Sequence, residues 1–460
     1  MLKSQSQPIP PPPPLKKLLG PSFILLGLGL GSGEIILWPY LSANWGLGIA
    51  WGAFLGIFFQ FFINMEIERY SLARGESVFI GLARRWKWVP FWLMFSTIVS
   101  FGWPGIIASS ATLFAYVFGG NATVIGIVFL ILIGIILSTG KYIYNTVEGF
   151  SLSIIMIGVP AICLLTFFFA DISQVGELMQ GLIGKGDGYW FLPVGIPLAS
   201  FLAAFAFSGA AGNLNLAQSS YIREKGYGMG TYMDKVKSLF SGQKQHVDLE
   251  GYTFDPTEEN MNRFSGWWKQ VNREHFLVFF LTGVITVLLL ILLSYATTFG
   301  TAGNAQGIQF VINEAIAIGK STFPLMGTFF AVLMGIMLFS TQFTVLDSTS
   351  RIISENYAAS KLGKKISHPL SRYYYIFLWT QIAFGITVFL FGFTEPLTLL
   401  IISAVLNAFC MFVHIALVKV LNIKELPKEI QASHWRQIIL FIAFLFFGIF
   451  SAITLWDKLF

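Results

Sequence analysis

The chain has 460 residues, of which 55% are hydrophobic and 11% are charged, and its mean hydropathy is +0.70. These values exclude an ordinary soluble domain and indicate a polytopic membrane protein. The net charge of +6 calls for no nucleic-acid partner, because the basic residues follow the distribution of membrane loops described below. The two cysteines lie inside apolar runs and indicate no disulfide framework.

The first 19 residues form a polar, proline-rich lead without the apolar core of a signal peptide. We expect residues 1–19 to be a disordered cytoplasmic segment.

Eleven apolar runs of membrane-spanning length follow this lead. They lie near residues 20–41, 46–65, 90–118, 122–138, 147–170, 190–222, 275–298, 322–350, 370–393, 396–418 and 437–456.

The basic residues test this count, because cytoplasmic loops are enriched in lysine and arginine. With a cytoplasmic N-terminus, 26 of the 29 lysine and arginine residues fall on the inner side. The distribution predicts an integral protein of the plasma (inner) membrane, with its N-terminus in the cytoplasm and its C-terminus outside. The long loop before the seventh span holds Trp267 and Trp268, which predict an amphipathic element lying at the inner membrane surface.

The first span is interrupted by small residues. Four glycines alternate along Gly27–Gly33 and are followed by Glu34. Glycine weakens a helix by roughly 1 kcal/mol relative to alanine, so this stretch is expected to break at membrane depth. Broken backbone is tolerated there where it lines a cavity or is buried in protein, and a carboxylate beside it is a functional candidate.

A second interruption lies in the sixth span, at Ser208–Gly212 with Asn213 after it. Five spans separate the two breaks, and an odd repeat length inverts the second unit relative to the first. We therefore predict an all-α protein with eleven transmembrane helices in a 5+5 inverted repeat, with helices 1 and 6 broken. The predicted units are residues 20–170, residues 190–420 with a cytoplasmic insertion at 223–274, and a last span at 437–456.

Together these stretches resemble the Nramp family of divalent-metal transporters, which has a LeuT-type fold. In that family the first span opens with a Gly-Pro pair and breaks at an Asp-Pro-Gly-Asn motif. The sixth and eighth spans carry further motifs, of the Met-Pro-His-Asn and Gln-Ser-Ser types. The matching stretches here are Gly20–Phe23, Gly31–Glu34, Ala210–Gln218 and Thr341–Thr344.

The resemblance implies a divalent-cation site whose ligands have changed. The family's aspartate, asparagine and methionine correspond to Gly31, Glu34 and Ala210. Loss of the methionine removes a preference for soft metals, so a site of Glu34, Asn213 and Gln342 would favour Mg²⁺ or Mn²⁺. The predicted substrate-binding residues are Gly31, Ser32, Gly33, Glu34, Ser208, Gly209, Ala210, Asn213 and Gln342.

The family's sixth-span histidines are replaced by Gly212 and Ala217, so proton coupling is not expected to carry over.

Two functions other than metal transport stay open on the sequence. Gly31–Gly33 also resembles the Gly-Ser-Gly of amino-acid permeases, which implies an amino-acid or other organic solute as the alternative substrate. A transporter-like receptor that moves nothing is the third possibility. The sequence contains no catalytic motif, requires no cofactor beyond a transported cation, and leaves the oligomeric state undetermined.

Four further polar residues in or near the spans are candidates for gating or coupling. Asp347 lies four residues before Arg351 and is expected to pair with it. Glu66 and Glu68 lie at the inner end of the second span, where a paired cluster would act as a gate. His414 shares a helical face with Asn407, and a polar contact between the two is expected.

Overall fold

The computed structural model of the chain describes residues 6–14, 18, 20–139, 143–233, 249–305, 307–362 and 369–459. Apart from two isolated β-bridges, the secondary structure of these residues is helical. The parts of the predicted lead and insertion that lie outside the described residues are 1–5, 15–17, 19 and 234–248.

The first half of the chain forms nine helices within the described residues. They are α1 Pro21–Gly29, α2 Trp38–Trp45, α3 Ala50–Arg74, α4 Val78–Arg85, α5 Val89–Phe101, α6 Gly105–Phe118, α7 Ala122–Thr139, α8 Ile143–Phe169 and α9 Ile172–Gly181. Proline starts α1, where its missing N–H costs nothing. Gly75 ends α3 with a left-handed φ of 68°. Pro104 separates α5 from α6 within the third span.

The second half forms nine more helices within the described residues. They are α10 Leu198–Ala206, α11 Leu214–Lys225, α12 Glu258–His275, α13 Thr282–Thr298, α14 Gln309–Ser321, α15 Pro324–Ala359, α16 Leu370–Leu390, α17 Pro396–Glu425 and α18 His434–Leu459. The start of α17 is capped by Glu395, whose side chain accepts from the Thr398 N–H at 2.6 Å.

Ten helices of the described chain are long and apolar enough to cross a membrane, counting α1 with α2, α5 with α6 and α12 with α13 as single spans. The predicted sixth span is not among them, because it is divided into α10 and α11 and each part is shorter than a bilayer requires. The polytopic helical architecture is therefore confirmed, whereas the count of eleven depends on treating α10 and α11 as one broken span.

The first span lies at the centre of the bundle. Every residue of its most apolar window is buried, whereas in the peripheral helix α7 the share is 28%. Because its whole window is buried, the broken span is enclosed by protein on all sides. Interrupted backbone at this depth is tolerable because it is buried in this way.

The loop before the seventh span contains a helix with both predicted tryptophans. Its amphipathic part, α12, continues through a π-helical turn at Phe276–Leu281 into α13 as one 41-residue helix. Trp267 is 2% exposed, and the Arg69 guanidinium stacks 3.8 Å from the ring centroid of Trp268. These tryptophans thus have partners within the protein, and the position of α12 at the inner membrane surface stays a prediction.

Residues 6–14, which the sequence assigns to a disordered lead, lie along the same loop. Ile9 is buried, and its carbonyl accepts from Arg263 at 2.8 Å. The indole of Trp267 donates to the Pro10 carbonyl at 2.7 Å. Proline-rich backbone has free carbonyls and little entropy to lose, which suits it to such docking. We call residues 6–14 the N-terminal strap.

Candidate functional site

The two helix interruptions lie against each other. After α1 ends at Gly29, the chain resumes as a π-helical turn at Ser32–Leu37, and a Cβ on Gly29 would lie 2.9 Å from the Cα of Gly209. A Cβ on Gly33 would collide with the carbonyl oxygen of Phe207. The glycines therefore permit backbone-to-backbone contact between the breaks. The predicted pairing of broken helices 1 and 6 is confirmed.

Gln60 of α3 holds the second break. Its Nε2 donates to the carbonyls of Ala206 at 3.1 Å and Ser208 at 2.7 Å, and its Oε1 accepts from the Ala211 N–H at 3.0 Å. One amide thus satisfies three backbone groups that the broken helix leaves free. The sequence reasoning missed this residue, although a lone glutamine inside the apolar second span was a usable signal.

Ala211 adopts φ of 67° at this break. That left-handed conformation is unfavourable for a residue with a Cβ. The hydrogen bond from its N–H to Gln60 helps to hold it there. The break is therefore a fixed, strained turn.

Thr341 of α15 holds the first break. Its hydroxyl lies 3.1 Å from the Gly27 carbonyl and 2.9 Å from the Leu30 carbonyl, and a Cβ on Gly31 would collide with its side chain. The predicted contact, Gln342, is buried beside it, but no hydrogen bond among the described residues joins Gln342 to either break. The residue predicted from the sequence, Gln342, is thus the immediate neighbour of Thr341, which makes the contact with the first break.

Glu34 lies on the π-helical turn and is 1% exposed. Its Oε1 is 3.1 Å from the point where Gly29 would carry a Cβ and 3.7 Å from the corresponding point on Gly283 of α13. Its Oε2 has no hydrogen-bond partner in the described structure. A buried carboxylate without a partner is costly unless it takes up a proton or a cation.

Ser208 and Asn213 already have protein partners. The Ser208 hydroxyl accepts from the Trp38 indole at 2.7 Å and donates to the Ala204 carbonyl at 2.9 Å. The Asn213 amide donates to Ser96 at 2.8 Å, which turns its nitrogen toward α5. Ser208 therefore supports the break, whereas the oxygen of Asn213 stays available.

Three amide oxygens around the second break lack donors. They belong to Asn213, Asn215 and Asn407, each buried and without a partner for its Oδ1 in the described structure. The Asn407 oxygen lies against the backbone of Gly212, where a Cβ would collide with it. Among the described residues no hydrogen bond joins Glu34 to Asn213 or Gln342. No group of three or more His, Cys, Asp or Glu side chains there is arranged to hold a metal ion.

Asp347 forms the predicted pair with Arg351, whose Nε lies 2.9 and 3.0 Å from its two oxygens. The hydroxyls of Tyr221 and Tyr374 donate to the same carboxylate at 2.8 and 2.7 Å. Arg351 also bonds to Glu224 of α11. This fully buried network joins α11, α15 and α16.

Glu66 and Glu68, two positions apart in the sequence, belong to different clusters. Glu66 pairs with Arg69 at 2.7 Å, whereas Glu68 accepts from Gln218 at 2.7 Å and lies 3.1 Å from His275. The predicted single gate at the inner end of the second span is thus two separate contacts.

His414 does not contact Asn407 as expected. Asn407 donates to the Ser403 carbonyl at 3.0 Å, and neither ring nitrogen of His414 has a partner in the described structure. The intrahelical carbonyl one turn away is a nearer acceptor for Asn407 than a side chain seven residues on.

The overall fold is similar to solved transporter structures. A single-site variant of the manganese transporter of Eremococcus coleocola aligns over 98% of this chain and 89% of its own, with a TM-score of 0.70 and 12% identity. MhsT in complex with L-phenylalanine aligns over 94% and 97%, with a TM-score of 0.53 and 13% identity. The chain has the LeuT-type transporter fold.

The same manganese transporter in complex with an aromatic bis-isothiourea substituted compound aligns over 99% of this chain and 90% of its own, at 11% identity. The sequence matches no protein-family profile and no curated protein. The structures that it resembles are membrane transporters and not enzymes. The similarity to the manganese transporter thus extends over the whole fold, at 11–12% sequence identity.

Proposed function

We propose that the protein is a secondary transporter that moves a divalent metal cation, Mg²⁺ or Mn²⁺, through the membrane by alternating access. The observation that carries this proposal is the buried Glu34 carboxylate beside the paired breaks, with one oxygen unpartnered. Interrupted helices at the interface of inverted repeats are where transporters of this architecture bind their substrates.

The close packing of the two breaks supports a small substrate. Gly29 approaches the Cα of Gly209, and Gly33 approaches the carbonyl of Phe207, so backbone meets backbone between them. In this conformation an ion would fit beside the breaks with far less rearrangement than an organic solute would need.

The chemistry of the free atoms supports a hard cation. Glu34 offers a carboxylate oxygen, and Asn213 and Asn215 offer amide oxygens, all without donors in the described structure. Oxygen ligands suit Mg²⁺ and Mn²⁺, whereas sulfur ligands select softer metals. Residues Gly31, Ser32, Gly209 and Ala210 would contribute backbone carbonyls or amides, and Gln342 a further oxygen after a change of rotamer.

The proposal includes the topology of the protein in the membrane. We infer a plasma (inner) membrane location with the N-terminus in the cytoplasm and the C-terminus outside, from the bias of lysine and arginine among the loops. Labelling of single cysteines in the loop after α3 and in the α7–α8 connection with an impermeant thiol reagent would test this orientation in intact cells.

The decisive experiment is uptake into proteoliposomes of Mg²⁺, Mn²⁺ and labelled amino acids. Wild type should transport at least one of the two metals, and Glu34→Gln should abolish that flux. Glu314→Gln is the matched control, because Glu314 of α14 is also a buried carboxylate with an unpartnered oxygen but lies outside the broken spans. Its metal flux should equal that of wild type.

Amino-acid flux without metal flux would overturn the metal assignment in favour of the organic-solute alternative. In that case the amides freed at Gly31–Gly33 would hold a substrate carboxylate. Calorimetric titration with Mn²⁺, Mg²⁺ and Ca²⁺ would rank the ions, and loss of heat in Glu34→Gln would tie the binding to this carboxylate.

A further inference from the structure

A second polar cluster lies at the other end of α1, remote from the helix breaks. Ser22 donates to Glu274 at 2.5 Å and lies 2.8 Å from His275 Nδ1. The same ring nitrogen is 3.1 Å from Glu68 Oε1, which also accepts from Gln218 at 2.7 Å. We call these five residues the Glu68–Glu274 cluster.

The cluster is buried and incompletely bonded. Four of its polar atoms are inaccessible and have no partner in the described structure: Glu68 Oε2, Glu274 Oε1, His275 Nε2 and Gln218 Oε1. Among the described residues no lysine or arginine bonds to either carboxylate. Two carboxylates in one buried site repel each other when both are ionised, so this arrangement is stable only if it takes up positive charge.

The surroundings supply little of that charge. The His275 ring is stacked between Phe61 and Phe279, with centroids 5.5 and 4.7 Å away. The titratable and charged groups facing the cluster from neighbouring elements are Tyr144 and Glu148 of α8, Lys225 of α11, and Tyr227 after α11. Lys225 is paired with Glu148 at 2.6 Å, so its charge is already balanced.

The donor set points to protons as the ligand. No group of His, Cys, Asp and Glu side chains in the described chain has the arrangement of a metal site. Ser22 Oγ bonds to both His275 Nδ1 and Glu274 Oε2, so its hydroxyl links two proton acceptors. A proton on Nδ1 can pass to Ser22 Oγ while the hydroxyl proton passes to Glu274, which leaves the serine unchanged.

We propose that the Glu68–Glu274 cluster is a proton-binding site that fastens the inner end of α1 when protonated and releases it when deprotonated. Its members come from both repeats: Ser22 and Glu68 lie on α1 and α3, whereas Gln218 and His275 lie on α11 and α12. Loss of the proton leaves the carboxylates of Glu68 on α3 and Glu274 on α12 repelling each other beside Ser22 of α1.

Helix α1 transmits this state to the substrate site. It has nine residues, which corresponds to a rod about 13 Å long. Ser22 lies at one end of the rod, and the break beside Glu34 begins at the other. Movement at the cluster therefore shifts the break, whichever substrate the protein carries.

Infrared difference spectroscopy of the purified protein between acidic and alkaline pH measures the proton directly. We expect a carboxylic-acid C=O band that titrates in wild type and is lost in Glu274→Gln. Glu177→Gln, which alters an exposed carboxylate on α9, is the control and should leave the band unchanged. If Glu274→Gln keeps the titrating band, the proposal is overturned, and a band that responds to Mn²⁺ but not to pH overturns it equally.

Hydrogen–deuterium exchange of peptides covering residues 21–29 measures the consequence for α1. After correction for intrinsic exchange, wild type should exchange at least about tenfold faster at alkaline than at acidic pH, and Glu274→Gln should be slow at both. Ser22→Ala serves as a second variant in case Glu274→Gln does not fold. It should keep the titrating infrared band but lose the pH dependence of hydrogen–deuterium exchange. An exchange rate that does not depend on pH in wild type refutes the proposal, and so does an exchange rate that still depends on pH in Ser22→Ala. Neither measurement depends on metal transport. The proposal of a proton-binding site can therefore hold even if the proposal of a divalent-cation substrate is refuted.

Discussion

Gln60 offers a sharp test of how the second break is held. Replacing it with methionine keeps the length and flexibility of the side chain but removes all three of its hydrogen bonds. Two carbonyls and one N–H, of Ala206, Ser208 and Ala211, would then be buried without partners. We expect Gln60→Met to destabilise the folded protein.

The size of the effect follows from the number of bonds. Side-chain hydrogen bonds between membrane helices contribute on average about 0.6 kcal/mol each, and buried groups left unpaired cost about 1–3 kcal/mol. For the three groups around Gln60, the first figure gives a loss of about 2 kcal/mol and the second a loss of about 3–9 kcal/mol, so the expected loss is at least about 2 kcal/mol. Unfolding by titration with a denaturing detergent in mixed micelles would measure this difference.

Asn64 provides the matched control, one helical turn along α3. It is equally buried, but neither its Oδ1 nor its Nδ2 has a partner in the described structure. Asn64→Leu removes an unsatisfied amide and should leave stability unchanged or raise it. Equal losses in Gln60→Met and Asn64→Leu, or no loss in Gln60→Met, would refute the assignment of Gln60 as the support of the break.

Three other substitutions follow from the same structure. Thr341→Val should cost about 1–3 kcal/mol in the same unfolding assay because it leaves carbonyls of the first break unpaired, whereas Thr341→Ser should cost less than half of that. Ala211→Gly should raise stability by about 1 kcal/mol by relieving a left-handed φ of 67°, and an unchanged midpoint would argue against strain there. Burial raises the pKa of Glu314 well above its usual 4.5, so the folded state holds this proton more tightly than the unfolded chain does. That contribution is complete below the usual pKa and is lost as pH rises through the raised value, so thermal stability should fall as pH rises above 4.5 in wild type and fall less in Glu314→Gln.

The helix breaks were predictable because their cause is local. Glycines at alternate positions before Glu34, and small residues from Ser208 onward, disfavour a helix whatever surrounds them. The five-span spacing then fixed the pairing of the breaks through chain topology alone. The same local pattern could not identify the side chains that satisfy the freed backbone, because Gln60 and Thr341 reach the breaks from distant parts of the sequence.

Polar contacts between distant helices were the hardest to predict. The Asp347–Arg351 pair was accessible because both partners lie one turn apart on one helix. Glu68 was grouped with its sequence neighbour Glu66, although its partners come from α11 and α12. Side chains two positions apart leave a helix about 200° apart, so Glu66 and Glu68 lie on opposite sides of α3 and contact different neighbours.

The N-terminal strap is linked to its docking surface by the chain itself. Its carbonyls accept from Arg263 and Trp267, on the helix that continues into the seventh span. Because binding is intramolecular, its occupancy is independent of protein concentration and is set by an effective local concentration, which for short flexible connections is on the order of millimolar. A separate peptide carrying the same prolines would have to approach that concentration before it displaced the strap, so free proline-rich segments in the cell would compete poorly for this surface.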